Sequence, residues 1–218
     1  MNNLNYLTKK PLIWVLLSVL MLSACSVTPP DNFIPVQVDD VSNAQAWEMR
    51  GKLAVRTSKD KFSTNIYWFH TDNKNELTLT TMLGTTVLSL TTLEGEARLE
   101  VDGKVYQDRD AQRLLTRVTG WSIPVDALPL WITGQLSDND KRLVEDEQQR
   151  PLTLTTQELP PWEVEFISWQ QQSGAELPRL LQLKREDLRL KLQISHWQAL
   201  STAHFLPSNQ PEERLNDQ

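Results

Sequence analysis

The residues of this chain that could do chemistry are few. There are three histidines, His70, His196 and His204, and one cysteine, Cys25. The histidines fall in no HExxH or other metal-ligating spacing. His70 and His196 stand at the ends of alternating stretches, where a solvated imidazole is the expectation, and His204 lies in a polar tail. No GxSxG elbow, no second cysteine and no GxxxxGK(S/T) loop occurs. Asp138, Asp140, Glu145, Asp146 and Glu147 crowd one stretch, but their spacing misses the calcium-loop pattern and reads as a solvated hairpin. Nothing is left to name as nucleophile, general base or metal ligand. The expectation is a protein that is not an enzyme and that holds neither a metal nor a diffusible cofactor.

Cys25 is the exception. Lys9 and Lys10 precede the apolar run from Leu12 to Leu22, and Leu22-Ser23-Ala24-Cys25 follows at once. The run has the length of a secretory h-region and is short for a membrane span, which needs roughly 20 apolar residues. Small residues before a cysteine at that place form a lipobox. The expectation is a lipoprotein signal peptide over 1–24, cleavage before Cys25, and covalent acyl chains on Cys25 as the anchor. Ser26, not Asp, follows the cysteine, which in lipoprotein sorting points to the outer membrane. Residues 25–40, with Pro29, Pro30, Asp31, Pro35, Asp39 and Asp40, have linker composition.

The bulk composition narrows the rest. In 218 residues, 22 basic side chains face 28 acidic ones, for a net charge of -6. With a pI near 5.1, a nucleic-acid or polybasic membrane-surface protein is not expected. A single cysteine excludes an internal disulfide and a cysteine-based zinc cluster. A hydrophobic fraction of 39% is enough to build a core.

The elements read as strands. Arg98 to Asp102, Trp162 to Phe166 and Leu188 to Ile194 alternate apolar with polar, the antiparallel pattern of one buried and one wet face. Eleven strands are expected at 47–57, 62–70, 76–81, 85–91, 96–101, 104–107, 141–145, 152–156, 162–169, 179–185 and 188–196. Asp102-Gly103 and Glu186-Asp187 read as tight turns. Short helices are expected at 40–46, at 111–118 with Asp108 or Asp110 as cap and Gly120 as stop, and at 124–132 before Gly134. A many-stranded sheet that curls into a barrel solves its edge problem, and helices inserted midway would cover the open side. Residues 41–200 are expected to form one domain and 201–218 a disordered tail.

Two features stand out on that frame. Outside the leader lie Trp47, Trp68, Trp121, Trp131, Trp162, Trp169 and Trp197, many for a chain of this size. They fit either an ordinary core or the wall of a large apolar cavity. Between two strands, where a polar turn is the rule, stand Met82 and Leu83 with Gly84 behind them. Either the turn tucks under and buries both side chains, or an apolar tip is exposed to lipid or to a hydrophobic partner.

The lipobox at Cys25, Trp47-Glu48-Met49-Arg50-Gly51-Lys52-Leu53, the Leu83-Gly84 loop, Thr119-Gly120-Trp121-Ser122-Ile123-Pro124, Leu130-Trp131-Ile132-Thr133-Gly134, and Leu190-Lys191-Leu192 ahead of Trp197 together resemble the LolB family of outer-membrane lipoprotein receptors. The resemblance implies a mostly β fold, an incomplete, half-open antiparallel barrel of about 11 strands with short helices over an apolar cavity. It implies a protein anchored by its lipid on the periplasmic face of a Gram-negative outer membrane. Such a receptor accepts cargo lipoproteins from the soluble periplasmic carrier LolA, holds their acyl chains in the cavity, and inserts them into outer-membrane lipid. Trp47, Trp68, Leu79, Leu88, Leu90, Leu99, Trp131, Ile132 and Trp162 are the candidates to line that cavity. The family's protruding apolar residue falls on Leu83, with Met82 and Gly84 beside it; the family often has Pro where this chain has Met82. Passing acyl chains through water costs about 0.8 kcal/mol per CH₂, so hand-over between apolar surfaces suits the task. A monomer is expected. The alternative class is a structural or assembly lipoprotein of the outer membrane with a solid core and no lipid cavity.

Overall fold

The computed structural model describes residues 32–202 apart from residue 139. The leader 1–24, Cys25, Ser26, the start of the linker and the tail from residue 203, with His204, lie outside the described residues. Twelve strands are described: β1 (Phe33–Pro35), β2 (Ala46–Arg56), β3 (Lys61–Thr71), β4 (Lys74–Thr80), β5 (Thr86–Leu93), β6 (Glu96–Val101), β7 (Lys104–Asp108), β8 (Asp140–Glu145), β9 (Pro151–Thr156), β10 (Glu163–Gln172), β11 (Ala175–Arg185) and β12 (Leu188–Thr202). They form one sheet in the order β7-β6-β5-β4-β3-β2-β12-β11-β10-β9-β8, with β1 beside β12. Neighbours run antiparallel throughout. β2 and β12, far apart in sequence, pair at the centre over eleven residue pairs from Arg56↔Arg189 to Ala46↔Leu200. β7 and β8, consecutive along the chain, are the two free edges. The helices α1 (Ala111–Thr119) and α2 (Leu128–Ile132) lie on the segment that joins them. The sheet curls but does not close, and the fold is a half-open barrel.

Period-two alternation places the apolar side chains inside. Leu188, Leu190, Leu192 and Ile194 are buried, while Arg189, Lys191 and Gln193 between them are exposed. The largest fully buried side chains include Trp68, Trp131, Trp162, Trp197 and Met49. Close packing also explains Gly51. A Cβ there would stand 2.2 Å from the backbone oxygen of Gln193, beside the bulge between Ile194 and His196. A smaller cluster, Ala46, Phe69 and Leu200, packs with Phe33 and Tyr67, and Phe33 meets Phe69 edge-on at 5.3 Å.

The structure differs from the sequence reading in four places. β1 falls inside the stretch read as linker, because three residues carry no periodicity and Phe33 is held by tertiary contact with Phe69. Ser201 and Thr202, read as tail, complete β12 and pair with Ile34 and Phe33. The helix expected at 40–46 is only a 3-10 turn, Val41–Asn43, with Asp40 accepting from the Ser42 N–H at 2.8 Å; β2 already begins at Ala46. The helix expected from Pro124 starts at Leu128, so Pro129 sits in its first turn, where the missing N–H has no intrahelical acceptor to lose.

Strand direction decides what shares an end of the barrel. β2, β4, β6, β9 and β11 run the same way, so the turns that follow each of them lie at one end. Asp187 ties two of these turns, accepting from the Ser58 hydroxyl at 2.6 Å and its N–H at 3.2 Å.

Candidate functional site

The inward side chains of facing strands meet as apolar pairs. Leu77 stands opposite Trp68 and Leu90, and Leu79 opposite Ile66 and Leu88. Leu53 faces Leu192, and Leu190 faces Leu183. Between them lies a hollow of about 60 Å³, roofed by Leu115 of α1, Trp121, Ile123, Val125, Leu128 and Ile132. All sixteen lining residues are Leu, Ile, Val or Trp, so the wall offers no hydrogen bond and no counter-charge. An ion or a polar headgroup placed there would be desolvated without compensation, whereas a hydrocarbon chain would lose nothing. The hollow is less than half of the ~150 Å³ of a cavity that takes benzene, so accepting a long chain requires it to widen.

The roof is fastened from outside the hollow. Asp110 caps α1 by accepting from the Arg113 N–H at 2.8 Å, and Gly120 ends it at φ 79°, donating its N–H to Thr116 at 2.9 Å. Asp108, at the end of β7, accepts from the guanidinium groups of Arg113 and Arg117. The hydrogen bond from Arg113 holds its carboxyl well below the usual carboxylate range. Past α1, Trp121 is half-buried, and the ring of Phe62 from β3 stacks on it at 5.3 Å. α2 is pinned through Trp131, whose Nε1–H donates to Asp140 at 2.7 Å. The stretch from Trp121 to Leu128 belongs to no strand ladder; the Trp121 N–H donates to Thr119 Oγ1 at 3.1 Å and its carbonyl accepts from the Thr116 hydroxyl at 3.2 Å, and the side chains beyond pack on the hollow.

The structure brings Trp68, Leu79, Leu88, Leu90 and Ile132 of the expected set together on the lining. Trp47, Leu99, Trp131 and Trp162 are buried but stand elsewhere in the core. Trp47 lies toward the opposite end of β2, stacked on His70 at 4.7 Å and edge-on to Trp68 at 5.8 Å. Trp131 and Trp162 pack on each other, rings 6.5 Å apart. Leu99, on β6, packs behind Leu90. Sequence reasoning missed the other lining positions. Leu183, Leu190 and Leu192 carried a signal in their alternation, and Leu115 in the apolar face of α1. Trp121 carried one only as a member of the tryptophan set, and Ile123 and Val125 had none, since they sit in an irregular segment.

The histidines separate in the same way. His196 is exposed, 3.9 Å from Glu48. His70 is not the solvated residue expected. Its ring packs on Trp47 and its Nδ1 lies 2.7 Å from Asn75 Oδ1, so burial pushes its pKa down. The same Asn75 oxygen accepts from Trp68 Nε1–H at 3.0 Å.

The β4–β5 loop settles the question about Leu83. Leu83 is 95% exposed and Met82 67%. The tip is nonetheless well braced. The Gly84 N–H donates to the Thr81 carbonyl at 3.0 Å, the Thr81 N–H to the Thr85 carbonyl at 2.8 Å, and Asn65 Nδ2 reaches the Thr81 carbonyl at 3.2 Å. Gly84 takes φ 85°, the left-handed conformation that this turn requires and that a side chain would strain. The loop thus holds an apolar side chain out in water, on the end of the barrel nearest the hollow.

The fold and the hollow define a class, a half-open antiparallel barrel with an apolar interior. A family model described as "Outer membrane lipoprotein LolB" matches residues 45–197. Over 218 residues, the whole of both chains, the protein is 89% identical to an outer-membrane lipoprotein LolB of Shewanella sediminis. It is 67% identical over 211 residues, 96% of this chain and 99% of the relative, to an outer-membrane lipoprotein LolB of Shewanella woodyi. Among solved structures, a DUF1329 family protein from Desulfovibrio piger shares the fold, with a TM-score of 0.50 and 6% identity over 77% of this chain and 89% of that one. The chain belongs to the LolB family.

Proposed function

We propose that this protein is the outer-membrane receptor that accepts lipoproteins from a soluble periplasmic carrier of the LolA type and inserts them into the outer membrane. The observation that carries the reading is the conjunction of a wholly apolar hollow with a braced, 95% exposed Leu83 at the same end of the barrel. The hollow takes the acyl chains of the cargo, and its lack of polar groups makes binding indifferent to the rest of the cargo protein. Acyl chains on Cys25 hold the receptor at the target membrane, on its periplasmic face, and Ser26 fits sorting to the outer membrane. Leu83, flanked by Met82 and Gly84, meets the bilayer when cargo is released. The protein acts as a monomer, and no bond is made or broken, so no catalytic group, metal or cofactor is required. Hand-over between apolar surfaces avoids the cost of about 0.8 kcal/mol per CH₂ of passing acyl chains through water, and direction requires that each station bind the chains more tightly than the last.

The test is a transfer assay. A Cys25→Ala form without residues 1–24 is offered an acylated lipoprotein loaded on the carrier. Stable movement of the lipoprotein onto this protein supports the reading. No transfer, from a folded receptor and a competent carrier, would sink it in favour of a structural lipoprotein.

A further inference from the structure

We propose that the β9–β10 loop makes a second contact with the lipid bilayer through Leu159, beside the contact made by Leu83. The proposal rests on the reading of Leu83 as a membrane-delivery residue and extends it to a two-point footing.

Leu159 is 91% exposed, close to the 95% of Leu83. Among the described residues no other large apolar side chain passes 50% except Met82, on the Leu83 tip itself. The loop is built to project. Thr156 donates its N–H to the Trp162 carbonyl at 3.0 Å, and Trp162 donates its N–H to Thr156 Oγ1 at 2.9 Å, so the neck is closed by two hydrogen bonds between buried residues. All five residues between them, 157–161, are exposed. The acid on the loop is answered from below. Glu158 pairs with Arg185 at 3.3 Å, and that guanidinium lies over the buried Trp162 ring at 5.9 Å. Pro160 and Pro161 have no N–H, so entering a headgroup region strands no donor of theirs.

Topology chooses the partner. β4 and β9 run in the same direction, so the loops that follow them share one end of the barrel. They lie on opposite wings of the sheet, on either side of the central β2–β12 pair. Two isolated apolar tips on two wings can both be satisfied by one broad apolar-centred layer. A bilayer surface is such a layer. Leu79 and Leu88, which flank the Leu83 loop, and Leu183 and Leu190, which flank the β11–β12 turn, line the hollow, so it borders the end of the barrel that carries both tips.

The test uses the full lipidated protein in vesicles of phosphatidylethanolamine and phosphatidylglycerol that carry a doxyl-labelled lipid. With Cys25 acylated, Leu159→Cys, Leu83→Cys and Leu93→Cys each supply one free thiol for an environment-sensitive fluorophore. Leu93 ends β5 at the opposite end of the barrel. The expected result is lipid quenching at positions 159 and 83 and none at 93. Quenching at 83 without 159 overturns this proposal and leaves the Leu83 reading standing. No quenching at either removes the Leu83 reading, and this one with it. A response at 159 to the soluble carrier alone, without lipid quenching, assigns the loop to a protein partner and also overturns it. Leu159→Glu is expected to lower lipoprotein delivery about tenfold, the worth of one buried Leu, with acceptance from the carrier unchanged.

Discussion

Phe62→Ala should make the protein bind acyl chains more tightly. The hollow measures about 60 Å³, so a chain enters only after the wall moves. The part least tied to the sheet is the roof between Trp121 and Leu128, and Phe62 holds its leading ring by a stack at 5.3 Å with 22° between the planes. Phe62 is not among the lining residues, so removing it takes no contact from a bound chain. Such a ring pair contributes about 1 kcal/mol beyond its buried area. If Trp121 leaves the stack on opening, that amount is lost from the closed form alone, and the open fraction rises about fivefold. The apparent dissociation constant for a fluorescent palmitoyl probe should fall by the same factor. Thermal unfolding should show a loss of about 1–2 kcal/mol, since Phe62 is only half-buried. Unchanged or weaker affinity in a folded variant would refute the assignment of the roof as the moving part.

Leu83→Glu should leave folding within about 0.5 kcal/mol, because the side chain touches almost nothing, and leave acceptance intact. Delivery into vesicles should drop tenfold or more, from losing about 1.5–3 kcal/mol of Leu burial in lipid; loss of acceptance instead would show that Leu83 contacts cargo or carrier. Trp68→Phe should weaken binding of the palmitoyl probe, whereas Trp131→Phe should reduce stability by about 1 kcal/mol through its lost bond to Asp140 and leave probe affinity alone; equal effects on the probe would dissolve that distinction. Gly51→Ala should destabilise by about 1–3 kcal/mol in chemical denaturation, as its methyl meets a backbone oxygen that can yield only by moving β12. Burial lowers the pKa of His70 below its ordinary 6.5, so below that pH the unfolded chain takes up a proton that the folded one resists. Stability should therefore be full above pH 6.5 and decline as pH falls through the lowered value, and His70→Gln should flatten this part of the profile.

Alternation and turn chemistry made most of the sheet legible. Leu188 to Ile194 read as a strand because every second residue is apolar, and Asp102-Gly103 read as a turn because that dipeptide suits a two-residue hairpin, where Gly103 indeed takes φ 71°. β1 was not legible, since its order comes from Phe69 rather than from its own sequence. The site was legible in its parts but not in its boundary. Alternation says that Trp68 and Leu99 both face inward; it says nothing about which inward side chain borders a void and which fills one. That depends on the roof, and Trp121, Ile123 and Val125 reach it through a segment with no period. Met82 and Leu83 left both burial and exposure open, and the choice was made by the turn hydrogen bonds of Thr81, Thr85 and Gly84.

The small size of the hollow follows from the composition of its wall. A wide cavity lined only by Leu, Ile, Val and Trp would set apolar surface against water at about 25 cal/mol per Å², and a roof free of the strand ladder lets the wall close instead. Entry of a chain reverses this, because each CH₂ buried contributes about 0.8 kcal/mol and offsets the ring stacking and side-chain packing lost as the roof lifts. The balance depends on chain length. A short acyl chain gains too little to lift the roof, while a long one gains enough within its first several carbons. A roof that opens in this way makes a receptor selective for long acyl chains without a single polar contact. Probe affinity should then rise steeply with chain length only until the roof is displaced, and by the plain per-CH₂ increment beyond that. A constant increment from the shortest chain upward would mean that no closed roof has to be displaced.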